Sequence, residues 1–336
     1  MARPIDEFSA AWAALSEGSS DESGWRGIPV SPAGPCLLLA ARQFPGDEES
    51  LLVRFSSASM LASELLPEGK GFEVVKVDPH RDGKAWLAIS RRDSGNFELF
   101  AELVGDVVGA MDAAFPGGED EVLHAMLRRV RLWQHFMGKG AVPLGPEAEI
   151  GLVGELTFLS LLIDQGLDSG SVVGSWVGPE DAPQDFVLGV GAVEVKATVA
   201  SSGFQARIGS LEQLDDSILS PLFLAGIRLS IAPSGRNLPE IIETVEGRLA
   251  SHPAALQTFG DKLFAAGYTS AHASKFHRRF AREEVRIYQV ATDFPRLIPS
   301  SVPEGVTKAV YSLELSRASA FEVDASSALK KLGVTT

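Results

Sequence analysis

The chain has 336 residues, enough for about two domains at roughly 150 residues each. Its residues are 45% hydrophobic and 22% charged, a composition that excludes an intrinsically disordered protein. The single cysteine, Cys36, excludes a disulfide framework and a cysteine-based zinc site. The net charge is −14, with an acidic excess in both halves. A protein that binds nucleic acid over a broad face is usually basic, so any such contact must be local.

The N-terminal half begins with a predicted helix over Ile5–Leu15, since Phe8, Trp12 and Leu15 repeat at helical spacing. Short apolar runs follow, separated by Gly, Pro and Asp, and they predict strands of an antiparallel meander or a small barrel. These runs are Cys36–Ala41, Leu51–Phe55, Phe72–Val77, Lys84–Ser90 and Phe97–Leu103. The first residues lack an apolar stretch of signal-peptide length, and no run approaches the ~20 residues of a membrane-spanning helix. We therefore expect a cytoplasmic protein.

A second helix is predicted over Glu119–Met137, where an apolar stripe ends at Gly138. The prolines of Pro143–Pro146 then predict a linker, and we place a domain boundary near residue 140. The expected organisation is a β-rich N-terminal domain with flanking helices, residues 1–140, followed by a second domain, residues 141–336.

The second half opens with a predicted helix over Pro146–Gln165, because proline suits the first turn of a helix and Gly166 suits its end. The Gly- and Ser-rich stretch Asp168–Ser175 predicts a loop. The remaining predicted strands are Asp185–Val190, Val193–Thr198, Leu222–Ile231, Val285–Ala291 and Ala309–Leu315, and the remaining predicted helices are Leu211–Ser217, Leu238–Ala250 and Pro253–Ala266.

Glu155 is a candidate site residue because it lies on a helix that is apolar nearly all round. Its helical neighbours include Leu152, Leu159 and Leu162. A carboxylate on such a face costs several kcal/mol, by order of magnitude, unless it is paired or bound to a cation. The alternative is a structural glutamate that caps a backbone group or pairs with an arginine.

The predicted hairpin brings two further carboxylates together. Glu194 and Lys196 share one face of the second strand, and a turn near Gly189–Gly191 places Asp185 opposite or diagonal to Glu194. Two acids so close repel each other unless a cation lies between them. Mg²⁺ or Mn²⁺ takes such oxygen ligands and keeps waters, one of which can attack a phosphodiester. The alternative is an ordinary pair of charges on an exposed strand.

These residues resemble a known signature. Asp185, followed after eight residues by Glu194-Val195-Lys196, is similar to the Asp…(Asp/Glu)-x-Lys pattern of the PD-(D/E)xK nuclease superfamily, which includes restriction endonucleases. Glu155 matches the acidic residue that many members carry on their first core helix. The sequence departs from the pattern before Asp185, where Gln184 stands and Pro183 lies one place earlier. That proline is not a metal ligand.

Several short sequence motifs resemble those of a narrower family of bacterial PD-(D/E)xK proteins, whose genes tend to lie among phage-defence and modification functions. These motifs are Gly154-Glu155-Leu156, Gly178-Pro179, Asp185-Phe186, Glu194–Thr198, Leu211–Asp215 and Phe294–Leu297. The resemblance covers roughly residues 95–315 and is sharpest over 150–215. It implies a restriction-endonuclease-like α/β core, a mixed sheet flanked by helices, over residues 141–336.

Two further features have a functional and a structural interpretation. Gln213, on a predicted short helix, could lie near the metal, as a glutamine does in some superfamily members, or it could be a solvated polar residue. A basic stretch that includes Arg278, Arg279 and Arg282 could contact DNA phosphates, or it could be a solvated helix face. A second basic patch, Arg128–Arg131, has the same two interpretations.

The sequence therefore predicts Mg²⁺-dependent DNA hydrolysis. Asp185 and Glu194 are the expected metal ligands, Glu155 supports the metal directly or through water, Lys196 positions the attacking water, and Gln213 is a lesser catalytic candidate. The resemblance implies defence against foreign DNA, possible partner proteins of a defence system and a possible homodimer. Two alternatives stay open: a catalytically inactive module that serves binding or assembly in such a complex, and a nuclease that acts on RNA.

Overall fold

The computed structural model describes residues 5–16, 23–30, 36–56, 66–81, 83, 86–138, 142–180 and 182–334. The chain divides into two units, Met1–Val142 and Pro143–Thr336. That the two units are separate domains with a boundary near residue 140 stays a prediction.

The described residues of the first unit form an antiparallel sheet and three α-helices. Its elements are α1 (Ile5–Ser16), β1 (Gly24–Pro29), β2 (Leu37–Phe44), β3 (Glu48–Arg54), β4 (Glu68–Gly69), β5 (Phe72–Val77), β6 (Trp86–Arg91), α2 (Phe97–Ala114) and α3 (Glu119–Gly138). The strand order is β1-β2-β3-β6-β5-β4, and every described pair is antiparallel. The central strands β2 and β3 are buried over most of their length, because their apolar runs are covered on both faces of the sheet. On one face, for example, the indole N–H of Trp12 in α1 donates to the Ser50 carbonyl in β3 at 2.9 Å.

The predicted strand at Phe97–Leu103 is wrong, since these residues begin helix α2. The Asn96 side chain caps this helix by accepting the Leu99 backbone N–H at 3.0 Å. Over seven residues the apolar positions fit either period, but the buried continuation through Val104, Val107 and Met111 follows the helical one. The described part of Lys84–Ser90 belongs to β6, while residues 84 and 85 lie outside the described residues.

The second unit contains a mixed sheet flanked by helices. Its elements are α4 (Pro146–Asp164), α5 (Ser169–Ser175), β7 (Phe186–Leu188), β8 (Gly191–Thr198), β9 (Gln205–Ile208), β10 (Leu222–Arg236), α6 (Leu238–Leu249), α7 (Pro253–Ala265), β11 (Phe280–Val290), β12 (Tyr311–Glu314), β13 (Glu322–Val323) and α8 (Ala325–Lys331). The sheet has the order β13-β11-β10-β8-β7, and β9 and β12 form a separate two-stranded ribbon. Strands β8 and β10 are parallel, whereas β7 and β8 form an antiparallel hairpin. This α+β architecture confirms the predicted fold class.

The two faces of the mixed sheet pack against different cores. Val193 and Val195 of β8 point towards the helices and join a core that includes Leu156 of α4. The alternate residue Ala192 lies in a second core on the other face, with residues of the β9–β12 ribbon. Since side chains alternate along a strand, Glu194 and Lys196 point to the ribbon side. The sheet therefore presents these two charged groups on one face, as the hairpin pattern predicted.

Two predicted local structures in the second unit are wrong. Asp168–Ser175 is not a loop, because Asp168 caps the short helix α5 by accepting the Ser171 backbone N–H at 2.8 Å. Leu211–Ser217 is not a helix but a series of bends and turns, although Leu211 and Leu214 are buried as expected. Among the elements that the sequence did not predict are β1, β9, β13 and α8. Within the described ranges, no helix combines the length and the apolar character that crossing a membrane requires.

Candidate active site

The hairpin β7–β8 and helix α4 bring the predicted acidic residues together. The hairpin register pairs Phe186 with Val193, so one step further Asp185 lies opposite Glu194. Helix α4 packs closely on β8 because Gly154 has no side chain. A Cβ at that position would lie 2.5 Å from the Cβ of Ala197, which is closer than carbon atoms can approach. The neighbouring Glu155 is thereby carried to the edge of the sheet at which the hairpin lies.

Glu155 is held by a tryptophan. The Trp176 indole N–H donates to Glu155 Oε2 at 2.7 Å, and Trp176 itself is fully buried. Burial and, to a smaller extent, the nearby charge of Asp185 raise the pKa of Glu155 to about 8, against the lowering effects of the indole hydrogen bond and of Lys196. Glu155 is therefore an acid in a poorly solvated place, next to another acid.

Asp185 is fixed by backbone groups. Its Oδ2 accepts the Val195 backbone N–H at 2.7 Å, and its carbonyl accepts the N–H groups of Val177 at 2.8 Å and Gly178 at 3.0 Å. Gly178 leaves room for the carboxylate, since a Cβ there would lie 2.7 Å from Asp185 Oδ1 and 3.4 Å from Glu155 Oε2. Burial raises the pKa of Asp185, and the Val195 N–H and Lys196 partly offset that effect.

Glu194 is the most deeply buried acid of the three, with 1% of its surface exposed. Lys196 Nζ lies 2.6 Å from its Oε1, and apart from this ion pair neither carboxylate oxygen has a hydrogen-bond partner among the described residues. Burial raises the pKa of Glu194 well above its ordinary value, and the charge of Asp185 adds to the effect. A buried carboxylate without hydrogen bonds is costly, so this group calls for a further positive partner.

Gln213 lies beside Lys196, in a turn rather than on the predicted helix. Its Oε1 accepts the Gly209 backbone N–H at 2.7 Å and lies 3.4 Å from Lys196 Nζ. The residue before Asp185 also contacts this turn, because Gln184 Nε2 donates to the Glu212 carbonyl at 2.8 Å. The structure thus brings Gln213 together with Lys196, and through it with Glu194.

The predicted basic stretch around Arg278, Arg279 and Arg282 is only partly available to contact DNA phosphates. The stretch is not a helix face, since it runs from the short 3-10 helix Ser270–Lys275 into β11. Arg278 pairs with Glu149, and Arg279 forms a two-point pair with Glu240 at 3.0 and 2.9 Å. Arg282 is exposed, and its guanidinium has no hydrogen bond or ion pair within the described ranges.

The chemistry of the acids suits a hard divalent cation, which takes carboxylate oxygens as ligands. The burial of the Glu194 carboxylate, which faces the ammonium of Lys196, and the repulsion between Asp185 and Glu155 are the features that such an ion would relieve. However, no group of three or more His, Cys, Asp or Glu side chains in the described part of the chain is arranged as a metal site. The donor set therefore fits a cation in type and charge, without forming a complete cage.

Sequence reasoning missed the residues that support these acids. Trp176 was assigned only to a loop, and Lys262 of α7 was not singled out, yet its buried Nζ donates to the Trp176 carbonyl. Gly154 and Gly178 belong to the motifs that resemble the family, but the sequence does not predict that they leave space for Ala197 and for Asp185. A lysine on an otherwise apolar helix face was the one available signal for Lys262.

Comparison with known families agrees with this geometry. The family model described as "Putative PD-(D/E)XK family member, (DUF4420)" matches residues 8–316. The match covers most of the chain, so the protein belongs to this family and has a nuclease-like fold. A comparison with curated proteins and a comparison with solved structures each found no match.

Proposed function

We propose that the protein is a Mg²⁺- or Mn²⁺-dependent nuclease that hydrolyses DNA phosphodiester bonds. The observation that carries the proposal is the buried carboxylate of Glu194, which lies opposite Asp185 and pairs with Lys196 on the same face, while Glu155 lies next to Asp185. Family membership supports the same conclusion, because PD-(D/E)XK proteins are nuclease-like.

In this proposal Asp185 and Glu194 hold the cation, and Glu155 supports it directly or through water. When bound, the cation supplies positive charge to the phosphate and lowers the pKa of a water molecule. The backbone N–H of Val195 keeps the Asp185 carboxylate in place. The indole of Trp176 does the same for Glu155.

Lys196 has two roles in the proposed reaction. Its ammonium compensates the charge of Glu194 in the absence of a cation. When a cation takes over that compensation, the ammonium can donate to the attacking water or to the phosphate, where negative charge develops in the transition state. Gln213 lies within reach of the same ammonium and would hold it on the substrate side.

Cleavage of plasmid DNA in Mg²⁺ or Mn²⁺ tests the proposal. We expect wild-type protein to nick or cut the plasmid, and we expect Asp185→Asn and Lys196→Ala to lose at least ~100-fold in rate, the usual scale for a lost catalytic group. Asp324→Asn is the matched control. Asp324 is an exposed cap of helix α8 whose side chain accepts the Ser327 backbone N–H, and asparagine caps helices about as well. Cleavage that survives in both site variants contradicts the mechanism.

Calorimetric titration with Mn²⁺ separates binding from catalysis. Wild-type protein should bind Mn²⁺, and Glu194→Ala should bind it markedly less, because a ligand oxygen is lost. Asp324→Asn should bind Mn²⁺ like the wild type. Equal affinity in Glu194→Ala and wild type would remove Glu194 from the metal site.

One observation favours the alternative of an inactive binding or assembly module. The described residues hold no complete metal cage, and Lys196 already compensates Glu194. Such a module would bind no Mn²⁺ and would leave both DNA and RNA intact, with or without partner proteins. RNA offered in the same assay distinguishes a ribonuclease.

The proposed setting is defence against foreign DNA, and it is supported by the family resemblance alone. With a net charge of −14, the protein would contact DNA through a local surface or within a larger complex. Arg282 is an exposed candidate for a phosphate contact, and a homodimer stays a further possibility to test by mass measurement in solution.

A further inference from the structure

The segment 174–180 contacts two of the three acidic residues, Glu155 and Asp185. Through its side chain, Trp176 donates to Glu155 Oε2 at 2.7 Å. Through its backbone, the segment donates the N–H groups of Val177 and Gly178 to the Asp185 carbonyl. The same seven residues thus hold Glu155 of helix α4 by its carboxylate and Asp185, the residue before β7, by its backbone carbonyl.

Lys262 of helix α7 in turn holds this segment. Its Nζ donates to the carbonyls of Trp176 and Gly174, the latter at 3.3 Å, and lies 3.5 Å from Glu180 Oε1. The residue is 5% exposed. Lysine is rarely buried unless its ammonium is fully compensated, and here all three partners belong to the one segment.

The surrounding packing gives this ammonium a fixed position. The ring of Phe259, on the same helix as Lys262, lies 5.9 Å from that of Trp176 between centroids. An apolar side chain in place of Lys262 could fill similar space, but it would leave buried carbonyls of the segment without donors. The amine therefore gives helix α7 a polar link to the segment, in addition to the contact between the Phe259 and Trp176 rings.

We propose that Lys262 is a positioning residue: by fixing the segment 174–180 it sets the orientation in which Glu155 and Asp185 meet a divalent cation. Its link to Glu155 passes through the Trp176 indole, and its link to Asp185 passes through the backbone of Val177 and Gly178. The role toward the cation rests on the proposed function. The contacts of Lys262 with the segment do not depend on it.

Two variants test the proposal in the full chain. Lys262→Met removes the ammonium, and Trp176→Phe removes the indole N–H together with part of the ring system while it keeps a smaller aromatic ring. We expect each to weaken Mn²⁺ binding by about 10- to 100-fold, the usual effect of losing a group that orients a metal ligand. Lys330→Met, in the exposed last turn of α8, should bind Mn²⁺ like the wild type.

Hydrogen exchange at the Val177 and Gly178 amides gives a readout that needs no metal. Lys262→Met should exchange these amides faster than the wild type at a temperature where both remain folded. A merely structural role would lower Tm and leave the Mn²⁺ Kd unchanged, and that result overturns the proposal.

The remaining outcomes are also decisive. If wild-type protein binds no Mn²⁺, the proposed function fails, and unchanged exchange in Lys262→Met then overturns the positioning role as well, whereas faster exchange retains it. If Lys262→Met does not fold, Trp176→Phe decides: an unchanged Mn²⁺ Kd overturns the proposal and a weakened one supports it.

Discussion

Glu155, Asp185 and Glu194 form a cluster of acids whose environment works against their ionisation. For each of them burial is the largest cause of a raised pKa, and mutual repulsion contributes for Glu155 and Glu194. A single ammonium, that of Lys196, opposes the effect at all three residues. The negative charge of the cluster is thus only partly compensated, and binding of a cation would compensate the rest.

The raised pKa values predict how stability depends on pH without a divalent cation. In the folded protein Glu155 keeps its proton up to about pH 8, whereas its ordinary pKa is 4.5. Unfolding therefore releases protons between these values, so stability is highest below pH 4.5 with respect to this group and falls as pH rises towards 8. Asp185 and Glu194 shift in the same direction.

Thermal unfolding in EDTA at pH 5, 6, 7 and 8 measures this effect. We expect Tm to fall by several degrees over this range, since about 1 kcal/mol corresponds to roughly 2–4 °C in a domain of this size. Glu155→Gln should flatten the profile, and Mn²⁺ should restore Tm at high pH. A profile that rises from pH 5 to 8 in the wild type and stays the same in Glu155→Gln contradicts the assignment.

At the scale of the elements, the close contact of α4 with β8 is what carries Glu155 to the hairpin. Gly154 faces Ala197, and an added Cβ would lie 2.5 Å from the alanine Cβ. Gly151, one turn earlier on the same helix, has no atom within 4 Å of an added Cβ. The two glycines therefore offer a matched pair of substitutions.

We expect Gly154→Ala to destabilise the protein by about 1–3 kcal/mol, the usual cost of overpacking. Gly151→Ala should be neutral or stabilise it by up to about 1 kcal/mol, because alanine favours the helix. Urea unfolding monitored by circular dichroism measures both. Equal effects of the two substitutions would show that the helix does not approach the strand at Gly154.

Other elements explain where prediction from sequence succeeded and failed. Phe72–Val77 was predictable because its buried residues alternate, and the helix from Pro146 was predictable because proline suits its first turn and Gly166 its end. Phe97–Leu103 was assigned to a strand because its apolar positions fit two periods, and only the Asn96 cap and the buried helix beyond decide between them. Strand β9 is short and pairs with the distant β12, so no local signal marks it.

At the scale of the whole molecule, the described cores of the second unit are internal to it. The core on the helix side and the core on the ribbon side both consist of residues from within Pro143–Thr336. All five predicted site residues lie in the same unit. A domain with its own core can in principle fold alone.

We therefore expect residues 143–336 expressed alone to unfold cooperatively and to bind Mn²⁺ within about threefold of the full chain. Calorimetric melting and titration measure the two properties, and residues 1–142 serve as the control that should not bind. A fragment that is unfolded at 25 °C, or a first unit that binds Mn²⁺ equally well, contradicts this assignment.

The sequence by itself determined the mixed α+β class, the order of helix and hairpin, and the shared face of Glu194 and Lys196, because these follow from periodicity within single segments. It also identified Asp185 as the partner across the hairpin, since the turn is short. Only the tertiary structure decided that Trp176 holds Glu155, that Lys262 holds Trp176, and that Arg278 and Arg279 are paired internally. Those contacts join residues far apart in the chain, and they depend on how closely helices and strands pack, which no local pattern encodes.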